Sequence, residues 1–306
     1  MKKTVLTFLI VSIHAVCFSQ TTDEQAINCL STSDFFLLEE IYPKIEDKIQ
    51  TPYLKNLAES VLYTAFNQPD SAIESIDSLI ANYQGEIGLE NVRNMFIFQC
   101  RILLRKGEYR EAYERMKGFI DQIEPHAPPE FLVASKENLK MYQALLDEDK
   151  PRLIRPDADC VVPIEIDTIK IKENEDDTIR HSTLMYAPVV VNGVRERFIF
   201  DTGCGGGVFL SQEYATRLGV RIKMDSLLIS GAGGKSYGQM GIVDSIMVGN
   251  MTFRNVTATI VPPNAEVDSL FKVNAVLGND IMDYAGEVQI FPEDRKIVFP
   301  VNKTPL

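Results

Sequence analysis

The spacing of apolar residues changes close to Lys150, and this change limits what the chain can fold into. From about Glu24 to Leu146, apolar residues recur at the three- or four-residue spacing of amphipathic helices. After Lys150, short runs rich in Val and Ile are separated by Gly or Asn-Gly turns, a pattern typical of strands in a closed or partly closed β architecture. Since 306 residues suffice for about two domains of ordinary size, we predict a helical domain followed by a mainly β domain.

The N-terminus has the pattern of a secretory signal. Two lysines precede the apolar stretch Val5–Val16, and the small residues Cys17 and Ser19 follow it. This order predicts export to the periplasm or secretion, with cleavage after Ser19. A lipid anchor on Cys17 is the rival route, which the bulky Val16 disfavours. No later apolar run approaches the roughly 20 residues that span a bilayer, so no transmembrane segment is expected after removal of the signal.

Composition excludes several classes of function. A formal net charge of -12 argues against nucleic-acid binding, which needs a basic surface. Three histidines lie too far apart for metal-ligand spacing, and no cofactor is expected. Cleavage of the signal would leave four scattered cysteines, whose pairing the sequence leaves open and which resemble buried small hydrophobes more than a disulfide framework. They are Cys29, Cys100, Cys160 and Cys204.

The helical region contains two similar helix starts. Pro69-Asp70-Ser71 precedes one predicted helix, Gly107-Glu108-Tyr109 begins another, and a third is predicted over 131–146. Ala72 and Ala112 occupy matching places after the first two starts. This pattern resembles tetratricopeptide-type helical hairpins, although the period is longer than the usual one of about 34 residues. A plain helical bundle explains the pattern equally well, and a protein partner for this region is possible under either interpretation.

The β-rich half contains three motifs in a fixed order. Phe198-Ile-Phe-Asp201-Thr-Gly203 is an apolar strand that ends on an acid and turns, and it follows a hairpin signal at Asn192-Gly193. A glycine-rich turn comes next, with Gly231, Ala232, Gly233 and Gly234 at its centre. The third motif is Ala275–Met282, in which Leu277 and Gly278 precede a short helical start at Asp280. Each motif alone is weak, and their order carries the information.

Together with a predicted helix end at Leu218-Gly219, these motifs resemble the retropepsin-like aspartic protease domains of bacteria, over about residues 182–299. The resemblance implies an acid-protease barrel that works as a homodimer on a peptide or protein substrate. It implies that Asp201 is the catalytic acid, paired with Asp201 of a second subunit. Thr202 would fix the carboxylates, and Gly203 would admit the attacking water.

The same resemblance gives roles to the other two motifs. Residues 231–234 would form the flap that closes over the substrate, where glycine permits hinge motion. Leu277, Gly278 and Asp280 would support the acid loop. Two features depart from the family pattern: Cys204 follows the Asp-Thr-Gly, and 205–207 is a run of three glycines that we expect to be a loose surface turn.

The sequence therefore predicts four segments: a signal at 1–19, a helical tetratricopeptide-like domain at 20–150, a linker with a leading strand at 151–181, and the protease domain at 182–306. The predicted function is that of an exported aspartic endopeptidase. The alternative is a catalytically inactive module that binds peptides or proteins through a protease-like fold and helical repeats.

Overall fold

The computed structural model describes residues 21–173, 178–231, 234–262, 274–302 and 304. The predicted signal, residues 1–19, and the predicted flap residues Ala232 and Gly233 lie outside this part of the chain. Contacts between residues divide the chain into two compact units, Met1–Glu86 and Ile87–Leu306.

The first unit is helical. A capping box begins its first helix, because the Thr21 side chain accepts the Glu24 N–H while the Glu24 carboxylate accepts the Thr21 N–H. Leu38 and Ala58 are fully buried in the small core that the helices share. The helices are α1 (Thr22–Thr32), α2 (Phe35–Ile45), α3 (Pro52–Ala65) and the first part of α4 (Pro69–Arg105).

The second unit begins with the remainder of α4 and continues through α5 (Tyr109–Ile123) and α6 (Val133–Ala144). The predicted start at Gly107 is observed: this glycine has a φ of 73°, and a Cβ there would lie 2.6 Å from Pro151 Cδ. Ala112 is fully buried, as a matching place in a helix pair requires. The tetratricopeptide resemblance remains a prediction. None of the described helices is long and apolar enough to cross a membrane.

After Ala144, the described residues of the second unit are mainly β, with two short helices. The strands are β1 (Arg152–Ile154), β2 (Cys160–Pro163), β3 (Glu165–Glu173), β4 (Thr178–Val191), β5 (Val194–Phe200), β6 (Val208–Ser211), β7 (Arg221–Gly231), β8 (Gly234–Val248), β9 (Met251–Val261), β10 (Ala275–Leu277), β11 (Gln289–Phe291) and β12 (Lys296–Phe299). Helix α7 (Gln212–Arg217) follows β6, and helix α8 (Asn279–Ala285) follows β10. Gly219, with a φ of 66°, lies just after the end of α7, as predicted.

Within the described residues, nine strands form one sheet in the order β1-β9-β6-β10-β5-β4-β8-β7, with β3 paired to β4. Strand β9 also pairs with β8, so β9, β6, β10, β5, β4 and β8 close into a ring. A second sheet has the order β11-β12-β2. The layout predicted from the sequence, a helical region followed by a mainly β region with a closed sheet, is confirmed.

The turn between β4 and β5 shows why the sequence folds this way locally. Asn192 and Gly193 both have positive φ, 49° and 87°, which a tight two-residue hairpin turn requires. Val191 and Val194 pair directly across it. The hairpin therefore fixes the register of β5, and with it the position at which the strand ends on Asp201.

Candidate active site

Asp201 lies at the exposed end of a buried strand. Phe198 and Phe200 of β5 are almost fully buried, whereas Asp201 is exposed. The Asp201 N–H donates to the carbonyl of Leu277 (3.1 Å), and Oδ1 of its carboxylate accepts the N–H of Gly203 (2.8 Å). The carboxylate is thus held at the start of residues 201–207, which we call the acid loop.

Strand β10 holds the acid loop between its two flanking strands. β10 runs parallel to β5, with Leu277 opposite Phe200, and antiparallel to β6, with Leu277 opposite Val208. The loop that leaves β5 and enters β6 therefore spans the end of β10. Because Leu277 is fully buried, the predicted support role of this residue fits its position.

Gly278 ties the acid loop to the start of α8. Its N–H donates to the carbonyl of Gly207, and the N–H of Asn279 donates to the carbonyl of Cys204, both at 2.8 Å. A Cβ at Gly278 would lie 2.5 Å from the Cys204 oxygen and 2.8 Å from the Gly207 oxygen. Only glycine fits there, which gives the Leu-Gly motif a steric reason.

The run of three glycines at 205–207, at the end of the acid loop, differs from the expectation of a loose turn. Gly205 and Gly206 are exposed, but Gly207 is buried with a φ of 83°. A Cβ on Gly207 would lie 2.7 Å from the carbonyl oxygen of Thr257. The end of the loop is therefore closely packed, and Gly207 is needed for both its backbone conformation and its lack of a side chain.

Asp280 lies against the acid loop from the α8 side. Its carboxylate accepts the N–H of Gly206, and burial raises its pKa, an effect that the Arg105 guanidinium opposes and Asp283 adds to. A Cβ on Gly207 would lie 3.5 Å from its Oδ2. This position fits the predicted support role better than a role as the second catalytic acid.

Cys204 is half-buried in the acid loop. Burial raises the pKa of its thiol to about 11, and the carboxylates of Asp201 and Asp280 add to the shift. A thiol with that pKa is protonated at neutral pH, so it is a poor nucleophile. It forms no disulfide, and neither do the other three cysteines of the described chain, which are buried.

The predicted flap is a long hairpin of β7 and β8. Gly231 pairs with Gly234 at its end, and Leu228 pairs with Tyr237 nearer the barrel. Tyr237 is 64% exposed. Gly231 and Gly234 thus lie at the end of this hairpin, the other two predicted flap residues lie outside the described chain, and the flap role stays a prediction.

The lower part of the hairpin contacts the helical segment of the same unit, which the sequence did not predict. We call Arg221–Met224 and Met240–Ile242 the flap stem. Met240 and Ile242 are buried in one apolar cluster with Tyr109 and Leu145. Beside this cluster, one acidic residue from the end of the helical segment binds two basic residues of the stem.

That acid is Glu148, whose side chain is only 8% exposed. Its carboxylate lies 2.9 Å from Nη2 of Arg221 and 2.6 Å from Nζ of Lys223. The hydrogen bond from Arg221 is the main reason that the pKa of Glu148 lies below its usual value. Glu148 and Arg221 are 73 positions apart in the chain, and no local pattern indicates that they meet.

A second ion pair links the helical segment to α8. Nη1 of Arg105, the last residue of α4, contacts Oδ2 of Asp283. The two side chains are 28% and 30% exposed. The sequence did not predict this contact either, since it joins residues 178 positions apart.

The site thus offers one exposed carboxylate, Asp201, in a loop that main-chain hydrogen bonds hold in place. Among the described residues, no group of three or more His, Cys, Asp or Glu side chains could hold a metal ion. An exposed acid at the end of a buried strand is the setting in which aspartic proteases place each carboxylate of their catalytic pair.

Comparison with known families agrees with this class. Residues 187–281 match the family model of the aspartyl proteases, which confirms the resemblance for the β-rich part of the chain. That range includes Asp201, the flap hairpin and the support residues from Leu277 to Asp280.

Two solved structures are also similar. One is the crystal structure of a retropepsin-like aspartic protease from Rickettsia conorii, with 19% identity, a TM-score of 0.28, and coverage of 45% of this chain and 92% of that chain. The other is the EIAV protease in complex with the inhibitor HBY-793, with 18% identity, a TM-score of 0.28, and coverage of 40% and 100%. No curated protein sequence matches the chain.

Proposed function

We propose that this protein is an aspartic endopeptidase whose active site forms when two copies associate. The observation that carries the proposal is the setting of Asp201, an exposed carboxylate bound to the Gly203 N–H in a loop that Gly278 closes from behind. The match of residues 187–281 to the aspartyl proteases supports the same class of activity.

The chemistry needs two carboxylates that share one proton. The ionised member removes a proton from water, and the water oxygen attacks the carbonyl carbon of the scissile peptide bond. The other member donates its proton to the carbonyl oxygen, and collapse of the tetrahedral intermediate expels the amine, which takes up a proton. Thr202 and Gly203 are proposed to fix the pair and to leave room for the water.

The second carboxylate is proposed to come from Asp201 of a second subunit. Asp280 is a poor source, because it lies against the loop from the α8 side and already accepts the Gly206 N–H. The exposure of Asp201 leaves it accessible to an opposing copy. The flap hairpin would then cover an extended peptide over the paired acids.

We further propose that the chain is exported, with the signal at residues 1–19 removed, and that the helical region, residues 20–150, binds a protein partner. The mass of the mature N-terminus, measured on protein recovered from outside the cytoplasm, tests export. A mature protein that begins at Met1 would contradict it.

The central test compares Asp201→Asn with Asp157→Asn, an exposed acid outside the site. Wild type and Asp157→Asn are expected to cleave a flexible protein such as casein, whereas Asp201→Asn loses about 1,000-fold or more in rate, since removal of one member of a catalytic group that acts as a unit has effects of that size. Light scattering should show dimers for all three. Undiminished cleavage by Asp201→Asn would refute the proposal, and a strict monomer that binds casein without cleaving it would favour the inactive binding module.

A further inference from the structure

Arg105 brings a positive charge from the helical segment to the helix that supports the acid loop. It is the last residue of α4 and contacts Asp283 of α8. Both side chains are about 70% removed from solvent. An ion pair of this kind resists screening better than one between fully exposed chains, so it holds the two elements together.

The residues of α8 connect this ion pair to the acid loop. Asp280 and Asp283 are three positions apart, which places them on one face of the helix. Asp280 accepts the N–H of Gly206 inside the loop, while the N–H of Asn279 binds the carbonyl of Cys204. Two neighbouring carboxylates on one face repel each other, and Arg105 lies close enough to counter the charge of both.

The residues around Arg105 hold it in place. Leu104 and Tyr109, on either side of it in the chain, pack in the apolar cluster with Met240 and Ile242 of the flap stem. Between them Gly107 makes a turn too tight for any side chain. The guanidinium therefore extends from a packed helix end rather than from a free surface.

We propose that Arg105 is a positioning residue for Asp201, acting through Asp283 and Asp280 to keep α8 seated against the acid loop. The effect of Arg105 on catalysis rests on the proposed protease activity. Arg105 also gives residues 87–150 a role of their own: this helical segment supports the acid loop at one point and the flap stem at another, in addition to any partner that the helical region binds.

The thiol of Cys204 reports on the acid loop without requiring any activity. It is half-buried, and its carbonyl is one of the two acceptors that tie the loop to α8. A loop that opens more often exposes this thiol to a reagent such as dithionitrobenzoate. The rate is measured on the folded full chain, with the signal of Cys204→Ser subtracted so that only this thiol is counted.

The variants are Arg105→Gln, Arg105→Lys and, as a matched control, Arg101→Gln, an exposed arginine one turn earlier on α4. Arg105→Gln is expected to label about tenfold faster. It should lower kcat on casein about tenfold with KM within about twofold, a smaller loss than the roughly 100-fold cost of a full 1 Å displacement of a catalytic group. Arg105→Lys keeps the charge and should recover most of both values. Arg101→Gln should equal the wild type in both.

An unchanged labelling rate in folded Arg105→Gln overturns the proposal, as does an equal acceleration in Arg101→Gln. If Arg105→Gln does not fold, Arg105→Met replaces it in the same comparison, because its stem of similar length keeps the apolar packing. If the wild type cleaves no substrate, the proposed activity fails, while the labelling rates still decide whether Arg105 holds the acid loop.

Discussion

The acid loop and the flap are both rich in glycine, but different groups hold them. Main-chain hydrogen bonds from Gly278 and Asn279 fix the acid loop, and no Cβ fits at Gly278 or at its acceptor Gly207. Side chains fix the flap stem, through the carboxylate of Glu148 and an apolar cluster with the helical segment. One methyl group added at Gly278 should therefore disrupt the acid loop, whereas the flap stem should respond to loss of charge or apolar contact.

The largest effect is expected from Gly278→Ala. The new Cβ would lie 2.5 Å and 2.8 Å from two carbonyl oxygens of the acid loop, and backbone atoms cannot move aside cheaply. We expect a loss of about 2–3 kcal/mol in the free energy of unfolding, as for overpacked cores. Activity should fall at least about 100-fold, because the loop that carries Asp201 must shift.

Gly205→Ala is the matched control for this variant. Gly205 belongs to the same loop but is exposed, and a Cβ there meets nothing within 4 Å. Its unfolding free energy should stay within about 0.5 kcal/mol of the wild type. If denaturant unfolding shows equal losses for both glycine variants, steric closure by Gly278 does not explain the stability of the loop.

The same comparison shows what could be read from the sequence. The Asn192-Gly193 hairpin, the strand that ends on Asp201 and the Leu277-Gly278 motif were predictable, because each depends on turn chemistry or apolar pattern within a few residues. Contacts between distant parts of the chain were not predictable. Arg105 meets Asp283 across 178 positions, and charged residues of this kind are common on helices without any such partner.

The prediction that Gly207 belongs to a loose surface turn was wrong for a related reason. A run of three glycines in sequence indicates a flexible turn, and this holds for Gly205 and Gly206, which are exposed. The third glycine is buried against the carbonyl of Thr257, a residue of β9 that lies 50 positions further along the chain. Only the closed sheet, in which β9 pairs with β6, brings them together.

A smaller effect is expected at the flap stem from Glu148→Gln. The variant removes the ion pairs from Glu148 to Arg221 and Lys223. Because the Arg221 side chain is 44% exposed, we expect the free energy of unfolding to fall by only about 1 kcal/mol. Amide exchange should accelerate in β7 and β8 and stay unchanged in the acid loop. Glu137→Gln removes an ion pair to the exposed Lys140 and should change neither the unfolding free energy nor the amide exchange of β7 and β8. Faster exchange in both regions would show that the flap and the acid loop are not held separately.

The contribution of Glu148 to the free energy of unfolding should also depend on pH and decrease in acid. Its pKa in the folded protein is lowered from a usual value of 4.5, so the folded state favours the ionised form. The stabilisation is complete above about pH 4.5 and is lost as the pH falls through the lowered pKa. The difference in unfolding free energy between wild type and Glu148→Gln should therefore be constant near neutrality and shrink in acid. A difference that grows as the pH falls would contradict the assigned ion pairs.

The smallest effect is expected from Cys204→Ala. With a thiol pKa of about 11, only about one molecule in ten thousand carries the thiolate at pH 7, so the sulfur contributes no nucleophile. The two main-chain groups that tie this residue to the loop and to Asn279 are unchanged in alanine. Activity should stay within about threefold of the wild type, measured as kcat/KM on casein. A fall as large as that of Gly278→Ala would mean that the Cys204 side chain is essential to the acid loop, because the backbone contacts alone would then be insufficient to hold Asp201.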